Sequence, residues 1–253
     1  MIKNILVIPD THFPDTDMRI WKSILELVKT NKPDEIIHLG DLMDYPQPSR
    51  WTKGTKAEFE GSVFADSDEA RKKLLEPLRE AYDGPIKVHE GNHDLRPRAY
   101  LDKYAPALSG KGTFDFDKLL GFDELGIERL PDFHTIAPGW ITTHGHLGGI
   151  RLNQNAGSTA LNGGKRIGKS VIMGHTHRAG IVHHTTGLEG NTRTLTGVEA
   201  GHIMDPKKVT YLKGATGNWQ QSALWLTLDG SRVTPILLPI SGGKFNKVKG
   251  VTE

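Results

Sequence analysis

Five short apolar runs in this chain each stop at a small polar cluster. Residues 5–8 lead into Asp10-Thr11-His12, residues 36–39 into Gly40-Asp41, and residues 85–89 into Gly91-Asn92-His93-Asp94. Residues 140–143 lead into His144-Gly145-His146, and residues 169–173 into Gly174-His175-Thr176-His177. Runs of this length and composition read as strands buried on both faces, the pattern of a largely parallel sheet covered by helices. Between the first two runs, Ile20, Trp21, Ile24, Leu25 and Val28 recur at helical spacing, and Asn31-Lys32-Pro33-Asp34 ends that helix. This is a βαβ unit, for which a right-handed parallel crossover is expected. In open α/β sheets, binding side chains gather beyond the carboxyl ends of strands, and that is where every cluster falls.

The remaining pattern completes the layout. A charged helix is expected over 68–81, with Leu74, Leu75 and Leu78 as its apolar stripe, a second near 100–104, and the start of a third within 153–164. Beyond Arg178 the pattern turns all-β. Gly187-Leu188-Glu189-Gly190-Asn191 reads as a hairpin turn, and residues 222–228 and 233–238 flank Asp229-Gly230. The expected fold class is α/β, with two packed mixed sheets and helices outside. A length of 253 residues suits one large domain, placed at 1–241 with insertions at 45–65 and 95–138. Residues 242–253, rich in Gly and Lys, are expected to be a solvated tail.

Composition removes several kinds of chemistry. There is no Cys, so thiolate metal sites and cysteine nucleophiles are excluded and any metal must be held by His, Asp, Glu or Asn. A net charge of +2, from 32 basic and 30 acidic residues, does not by itself signal nucleic acid. The apolar run at the N-terminus is too short for a signal peptide, and no run reaches about 18 apolar residues. A cytoplasmic protein with no membrane partner is the expectation.

The clusters fit a pair of metal ions. Asp10 and His12 stand two apart, and an extended step would point both the same way. Asp41, alone after its strand, suits a carboxylate bridging two cations about 3.5–4 Å apart. Asn92 offers a neutral carbonyl oxygen, and His175 and His177 again stand two apart. Such a donor set suits Mn²⁺, Fe or Zn²⁺ better than Ca²⁺. Mn²⁺ is preferred, with Fe, Zn²⁺, Ni²⁺ and Mg²⁺ as alternatives. His93 directly follows a candidate ligand, so it should face the substrate's leaving group, with Asp94 orienting it through the distal ring nitrogen. Arg96, Arg98 and Arg178 follow the clusters and read either as phosphate or nucleic-acid backbone contacts or as solvated surface. Tyr45, Arg50 and Trp51 read as loop packing, with a base-stacking wall as the alternative. Trp219 reads as a core or inter-sheet residue, and His38, His89, His134, His183, His184 and His202 as structural.

The order Asp-x-His, Gly-Asp, Gly-Asn-His-Asp, His-Gly-His, Gly-His-x-His, spread over residues 10–177, resembles the calcineurin-like metallophosphoesterase superfamily. The resemblance implies a four-layer α/β/β/α sandwich. It also implies one metal held by Asp10, His12, Asp41 and His177, a second held by Asp41, Asn92, His144 and His175, and His93 as the catalytic histidine. His144 takes the ligand role by similarity; His146 is the alternative ligand, and otherwise a substrate contact beside Arg96 and Arg178. The implied activity is phosphodiester hydrolysis by a metal-bridging hydroxide. Gly40-Asp41-Leu42-Met43-Asp44 lacks the Arg-Gly that follows in the protein Ser/Thr phosphatase branch, and Asp94 stands where that branch has Glu. The chain therefore resembles the phosphodiesterase and nuclease branches. A nucleotide or other small phosphodiester is the preferred substrate, with nucleic acid as a further partner. A DNA nuclease, a phosphomonoesterase and an inactive scaffold are the alternatives; scaffolds of this kind typically lack the histidine found here as His93.

Overall fold

The computed structural model describes residues 2–49, 52–110, 112–208 and 216–252. In chain order the first half contains β1 (Ile2–Ile8), α1 (Met18–Asn31), β2 (Glu35–His38), α2 (Val63–Ala70), α3 (Glu76–Ala81), β3 (Ile86–Val88), α4 (Arg96–Tyr104), α5 (Phe116–Leu119), α6 (Phe122–Leu125) and β4 (Ile127–Arg129). The second half contains β5 (His134–Ala137), β6 (Trp140–Thr143), α7 (Ser158–Ile167), β7 (Ser170–Met173), β8 (Ala179–Leu188), β9 (Asn191–Ala200), β10 (Ser222–Asp229), β11 (Arg232–Ser241) and β12 (Lys244–Phe245). Among the described residues the strands form a seven-stranded sheet, β12-β11-β10-β1-β2-β3-β4, and a five-stranded sheet, β5-β6-β7-β9-β8. Strands β1 to β4 run parallel, as do β6, β7 and β9; the flanking strands pair antiparallel.

The two-residue period of each central strand explains the layering. Leu6 and Ile8 face one apolar cluster, while Ile5 and Val7 face another. Ile36 and Ile37 divide the same way, as do Trp225 and its neighbours Leu224 and Leu226. The first cluster holds α1 through Ile20, Trp21, Ile24 and Val28, together with Leu74 and Leu78, against the larger sheet. The second lies between the sheets, where Ile172, Val198 and Ala200 of the smaller sheet meet β1, β2 and β10. Val171 and Met173 face the other way and pack with Ile141 under Ala160 of α7. The result is the expected four-layer α/β/β/α sandwich. No helix among the described residues is long and apolar enough to cross a membrane.

Helix α1 is bounded as its sequence dictates: the Asp17 side chain accepts from the Arg19 N–H, and Lys32 closes the other end in the left-handed conformation, donating to Val28 C=O before Pro33. Three expectations are corrected. The helix expected over 68–81 starts at Val63, capped by Ser62, inside the stretch read as an insertion. It passes from α2 to α3 through a π-turn at Arg71–Leu75, where the Glu76 N–H bonds Arg71 C=O. Pro77, which has no N–H to give, sits in the first turn of α3 just after it. Helix α4 begins at Arg96, not near 100, because Pro97 suits a first helical turn. The terminal stretch is not a solvated tail: Phe245 pairs with Ile240, Val251 is 7% exposed within the larger core, and Asn31 of α1 donates to Val251 C=O at 2.7 Å.

Candidate metal centre

The loops after β1 and β2 are bonded to each other before they carry any ligand. The N–H groups of Thr11 and His12 both donate to Asp41 C=O, at 3.1 and 2.9 Å, and Phe13 N–H donates to Leu42 C=O at 2.9 Å. His12, Asp41, His175 and His177 all have positive φ, at 47°, 49°, 67° and 59°. Residues other than glycine rarely adopt this conformation, and its clustering at one site marks local strain held by the surroundings. The Asp10-to-His12 step is therefore not the extended one expected; a left-handed turn at His12 brings its ring beside Asp10. Two motif glycines follow from close approach. A Cβ at Gly91 would stand 2.1 Å from Asp41 Oδ1, and one at Gly174 would stand 2.2 Å from Asp10 Oδ1.

The side chains meet in two groups. His177 Nε2 lies 3.2 Å from Asp10 Oδ2 and 3.1 Å from His12 Nε2. His144 Nε2 lies 3.3 Å from Asp41 Oδ2 and 3.1 Å from Asn92 Oδ1, and His175 joins this group. Asp41 Oδ2 also stands 3.5 Å from His12 Nε2, so one oxygen faces both groups. Asp10, His12, Asp41 and His144 are all within 2% of full burial. Backbone amides aim the carboxylates: His175 N–H donates to Asp10 Oδ2 at 2.9 Å, and His93 N–H to Asp41 Oδ1 at 2.8 Å.

The donor chemistry fits divalent cations. His144 Nδ1 donates to Leu39 C=O at 3.0 Å, and His12 Nδ1 donates to Asp44 Oδ1 at 3.2 Å. Each outward bond turns the ring's Nε2 inward, the arrangement that metal-binding histidines use. Burial, set against the Asp44 and Asp41 carboxylates, leaves His12 below the usual histidine pKa. Burial opposes charge on His144 as well, but Asp41 and Asp10 outweigh it and raise its pKa to about 9. Burial and the His144 charge push His175 down to about 4. Burial raises Asp41, but His144 and His93 overcome it and hold its carboxyl well below the usual range.

Asp44, not Asp94, orients His93. His93 Nδ1 donates to Asp44 Oδ1 at 2.7 Å, and Arg96 Nη2 stands 3.1 Å from Nε2 while Arg96 Nη1 donates to Asp44 C=O at 2.6 Å. Burial works against charge on His93, yet Asp41 and Asp44 raise its pKa. Asp94 is fully buried and accepts from the N–H groups of Leu42, Met43 and Gly91, at 3.3, 2.9 and 2.8 Å. It ties the second motif to the third, and burial beside Asp41 pushes its pKa up to about 7. The signal available in sequence was the Asp41-x-x-Asp44 spacing, which returns a second carboxylate to the same loop.

The other candidates divide. His146 lies beside His144 and His175, with ring centroids 5.2 and 6.3 Å away, and both its nitrogens are buried without a hydrogen-bond partner. Arg178 turns to the loop before α7, donating to Asn153 C=O at 2.8 Å, while its Nε is buried without a partner. Arg98 is engaged by Glu90 and Asp115. Tyr45 is fully buried with its hydroxyl on Ser67 Oγ at 2.6 Å, so it is core and not a stacking wall; Arg50 and Trp51 lie outside the described residues. His38 is internal, bonded to Thr11 and Gly40 N–H. Trp219, expected in the core, is half-buried at the site, with its ring edge-on to His177 at 4.6 Å and His202 behind at 5.9 Å. Glu199 was not anticipated. Fully buried on β9, it accepts from the Thr159 and Ala160 N–H groups at the start of α7 and from the Thr176 hydroxyl, fixing the residue between His175 and His177. A lone carboxylate in the apolar run of residues 198–203 was its only sequence signal.

Two packed mixed sheets with paired His and Asp groups at strand ends define a metallophosphoesterase fold. The Calcineurin-like phosphoesterase family description matches residues 3–184, and the chain belongs to that family. Gene 54 protein of Mycobacterium phage L5 is 52% identical to it over 247 residues, covering 97% of both chains, and Gene 54 protein of Mycobacterium phage D29 is 51% identical with the same coverage. Among solved structures, Vacuolar Protein Sorting 29 from Cryptosporidium parvum is similar with a TM-score of 0.50 at 15% identity, covering 97% of this chain and 95% of that one. That is a likeness of fold.

Proposed function

We propose that the chain is a dinuclear-metal phosphoesterase that hydrolyses phosphodiesters of the nucleotide type. The observation that carries this reading is the position of Asp41 Oδ2, within 3.5 Å of both His12 Nε2 and His144 Nε2. Asp10, His12, Asp41 and His177 would hold one cation, and Asp41, Asn92, His144 and His175 the other. Mn²⁺ is the metal we prefer, because carboxylate and amide oxygens stand beside the imidazoles; Fe, Zn²⁺, Ni²⁺ and Mg²⁺ are the alternatives, and Mn²⁺ would bind more weakly than Fe, Ni²⁺ or Zn²⁺. Bound there, the cations would supply Lewis acidity to the phosphate and a more acidic water. The chain's own residues do the rest. Asp10 and Asp41, ionised and buried, offset the cations' charge. Asp44 holds Nδ1–H of His93, so Nε2 is the atom left to pass a proton to the leaving oxygen. Arg96 Nη2, 3.1 Å from Nε2, can only donate to it, so Arg96 would turn to a substrate phosphate and free Nε2 to carry the proton. The intact pairing of His93 with Asp44 favours an enzyme over an inactive scaffold.

The test is hydrolysis of bis-p-nitrophenyl phosphate with and without Mn²⁺, beside His93→Ala. Metal-stimulated turnover that falls in His93→Ala is expected. Absence of any metal-dependent turnover in the unaltered protein would overturn the reading.

A further inference from the structure

A cavity of about 400 Å³ adjoins the candidate centre and leads away from it along α4. Its inner end is Asn92 and Arg96, the first 3.1 Å from His144 Nε2 and the second 3.1 Å from His93 Nε2. Its wall then follows Ala99, Tyr100, Lys103 and Tyr104. With Arg96 these positions are spaced by three, four, seven and eight residues, which is one stripe of a helix. Eight residues of helix carry the stripe about 12 Å from the centre. At the inner end Arg96 stands beside Leu95, Pro48 and Ser49, and the outer half is aromatic and basic. The Tyr100 and Tyr104 rings lie 4.7 Å apart, and the Lys53 ammonium sits 4.9 and 3.8 Å from their centroids. Lys103 is 5.1 Å from the Tyr104 ring, and Tyr104 is 38% exposed. The carboxylate at this end is Glu58, which accepts from the Tyr100 hydroxyl and stands 3.5 Å from Lys53.

Given phosphodiester hydrolysis at the adjoining centre, on which this rests, we propose that the α4 groove binds the outgoing side of a linear single-stranded oligonucleotide. Guanidinium and ammonium groups at intervals, with phenol rings between and beyond them, are what a strand with alternating phosphates and bases needs. The groove starts at Asn92 and Arg96, and Arg96 reaches His93 Nε2, so it lies on the side where the leaving oxygen departs. In the reaction, water adds to phosphorus and the phosphorus–oxygen bond to the outgoing strand breaks. That oxygen leaves as a hydroxyl carrying the His93 proton, and the proton lost by water passes to solvent. A cyclic nucleotide has both ester oxygens on one nucleoside, so nothing in it spans the distance to Tyr104. Duplex bases are stacked on each other and offer no free face to the tyrosines.

Two readouts test this with the full chain. The first is anisotropy of a fluorescein-labelled single-stranded octanucleotide, titrated with protein in EDTA, with unlabelled duplex and unlabelled cyclic nucleotide as competitors. Tyr104→Ala and Lys103→Glu are expected to weaken octanucleotide binding about tenfold each, and Tyr104→Trp to retain it. The second is the ratio of kcat/KM for the octanucleotide to that for bis-p-nitrophenyl phosphate with Mn²⁺, which should fall at least tenfold in the same two variants. Octanucleotide affinity indifferent to both substitutions, or equal competition by cyclic nucleotide or duplex, would overturn the groove. Loss of all turnover with groove-dependent binding kept would instead overturn the phosphoesterase reading alone.

Discussion

The two halves of the candidate centre are built on different supports. His12, in the first, is backed by a carboxylate, Asp44, which also holds His93. His144, in the second, is backed by a neutral backbone carbonyl, Leu39 C=O, and faces two oxygen donors. Their protonation differs as well: burial holds His12 below the usual histidine pKa despite Asp44, while the Asp41 and Asp10 carboxylates that His144 faces raise it to about 9. At neutral pH His12 and His175 present free lone pairs, and His144 carries a proton that a cation would have to displace. Ligand type alone does not make the two candidate positions equivalent; burial and the carboxylates that each ring faces set how readily it gives up a proton.

The largest expected effect removes what the halves share. Asp41→Ala should abolish turnover and lower bound Mn²⁺ at both positions, read by elemental analysis after gel filtration; retention of two equivalents would break the comparison. Next is His93→Ala, expected to lower kcat by about 10²–10⁴-fold, the usual worth of a general acid. Metal content should stay at two equivalents. Asp44→Asn should cost about 10–100-fold, as loss of a ligand's supporting partner does, and shift the pH profile, because Asp44 touches both His12 and His93. Asp94→Asn should leave that profile in place and lower the unfolding free energy by about 1–3 kcal/mol, the cost of weakening buried hydrogen bonds. If Asp94→Asn shifts the profile and Asp44→Asn does not, the roles assigned to the two carboxylates are reversed.

Smaller effects concern pH. Cation uptake by the His144 half should release a proton below pH 9, and its affinity should rise with pH up to that point; calorimetry in two buffers of different ionisation enthalpy measures the release. In the chelated protein, His144 contributes stability that is fully present below about 6.5 and lost as pH rises through 9. His38, His89 and His202 are held neutral by burial, at about 4, 3 and 3, so their contribution is present above about 6.5 and lost as pH falls toward 4 and 3. Asp94 acts the other way on acidification, since its raised pKa makes protonation near 7 favourable to the folded state. His146 and His175 are likewise held at about 4, and Asp15 is raised to about 6 alongside Asp94; five histidines against two carboxylates predict a Tm that drops below pH 6 in EDTA.

The strands and clusters were legible because a strand buried on both faces has little freedom but to be apolar, and because the ligands fall directly after it. The Asp44 role was not legible. Asp94 is adjacent to His93 in sequence, but neighbouring side chains point apart, and a carboxylate 49 residues away reaches the ring instead. Glu199 comes to the site from β9 and Trp219 from the segment just before β10, with no local pattern to mark either. The stretch after 241 looked solvated because its Gly and Lys residues outnumber Phe245, Val248 and Val251, the few that anchor it.

Those few anchors matter to how the protein behaves in a crowded solution. Strand β11 is ten residues long, and without β12 its outer backbone groups would form an open rim able to recruit a strand from another molecule. Two paired residues, a turn and one buried valine close part of that rim. A chain cut after Ser241 should keep the residues of the candidate centre yet lose solubility, self-associating through its larger sheet.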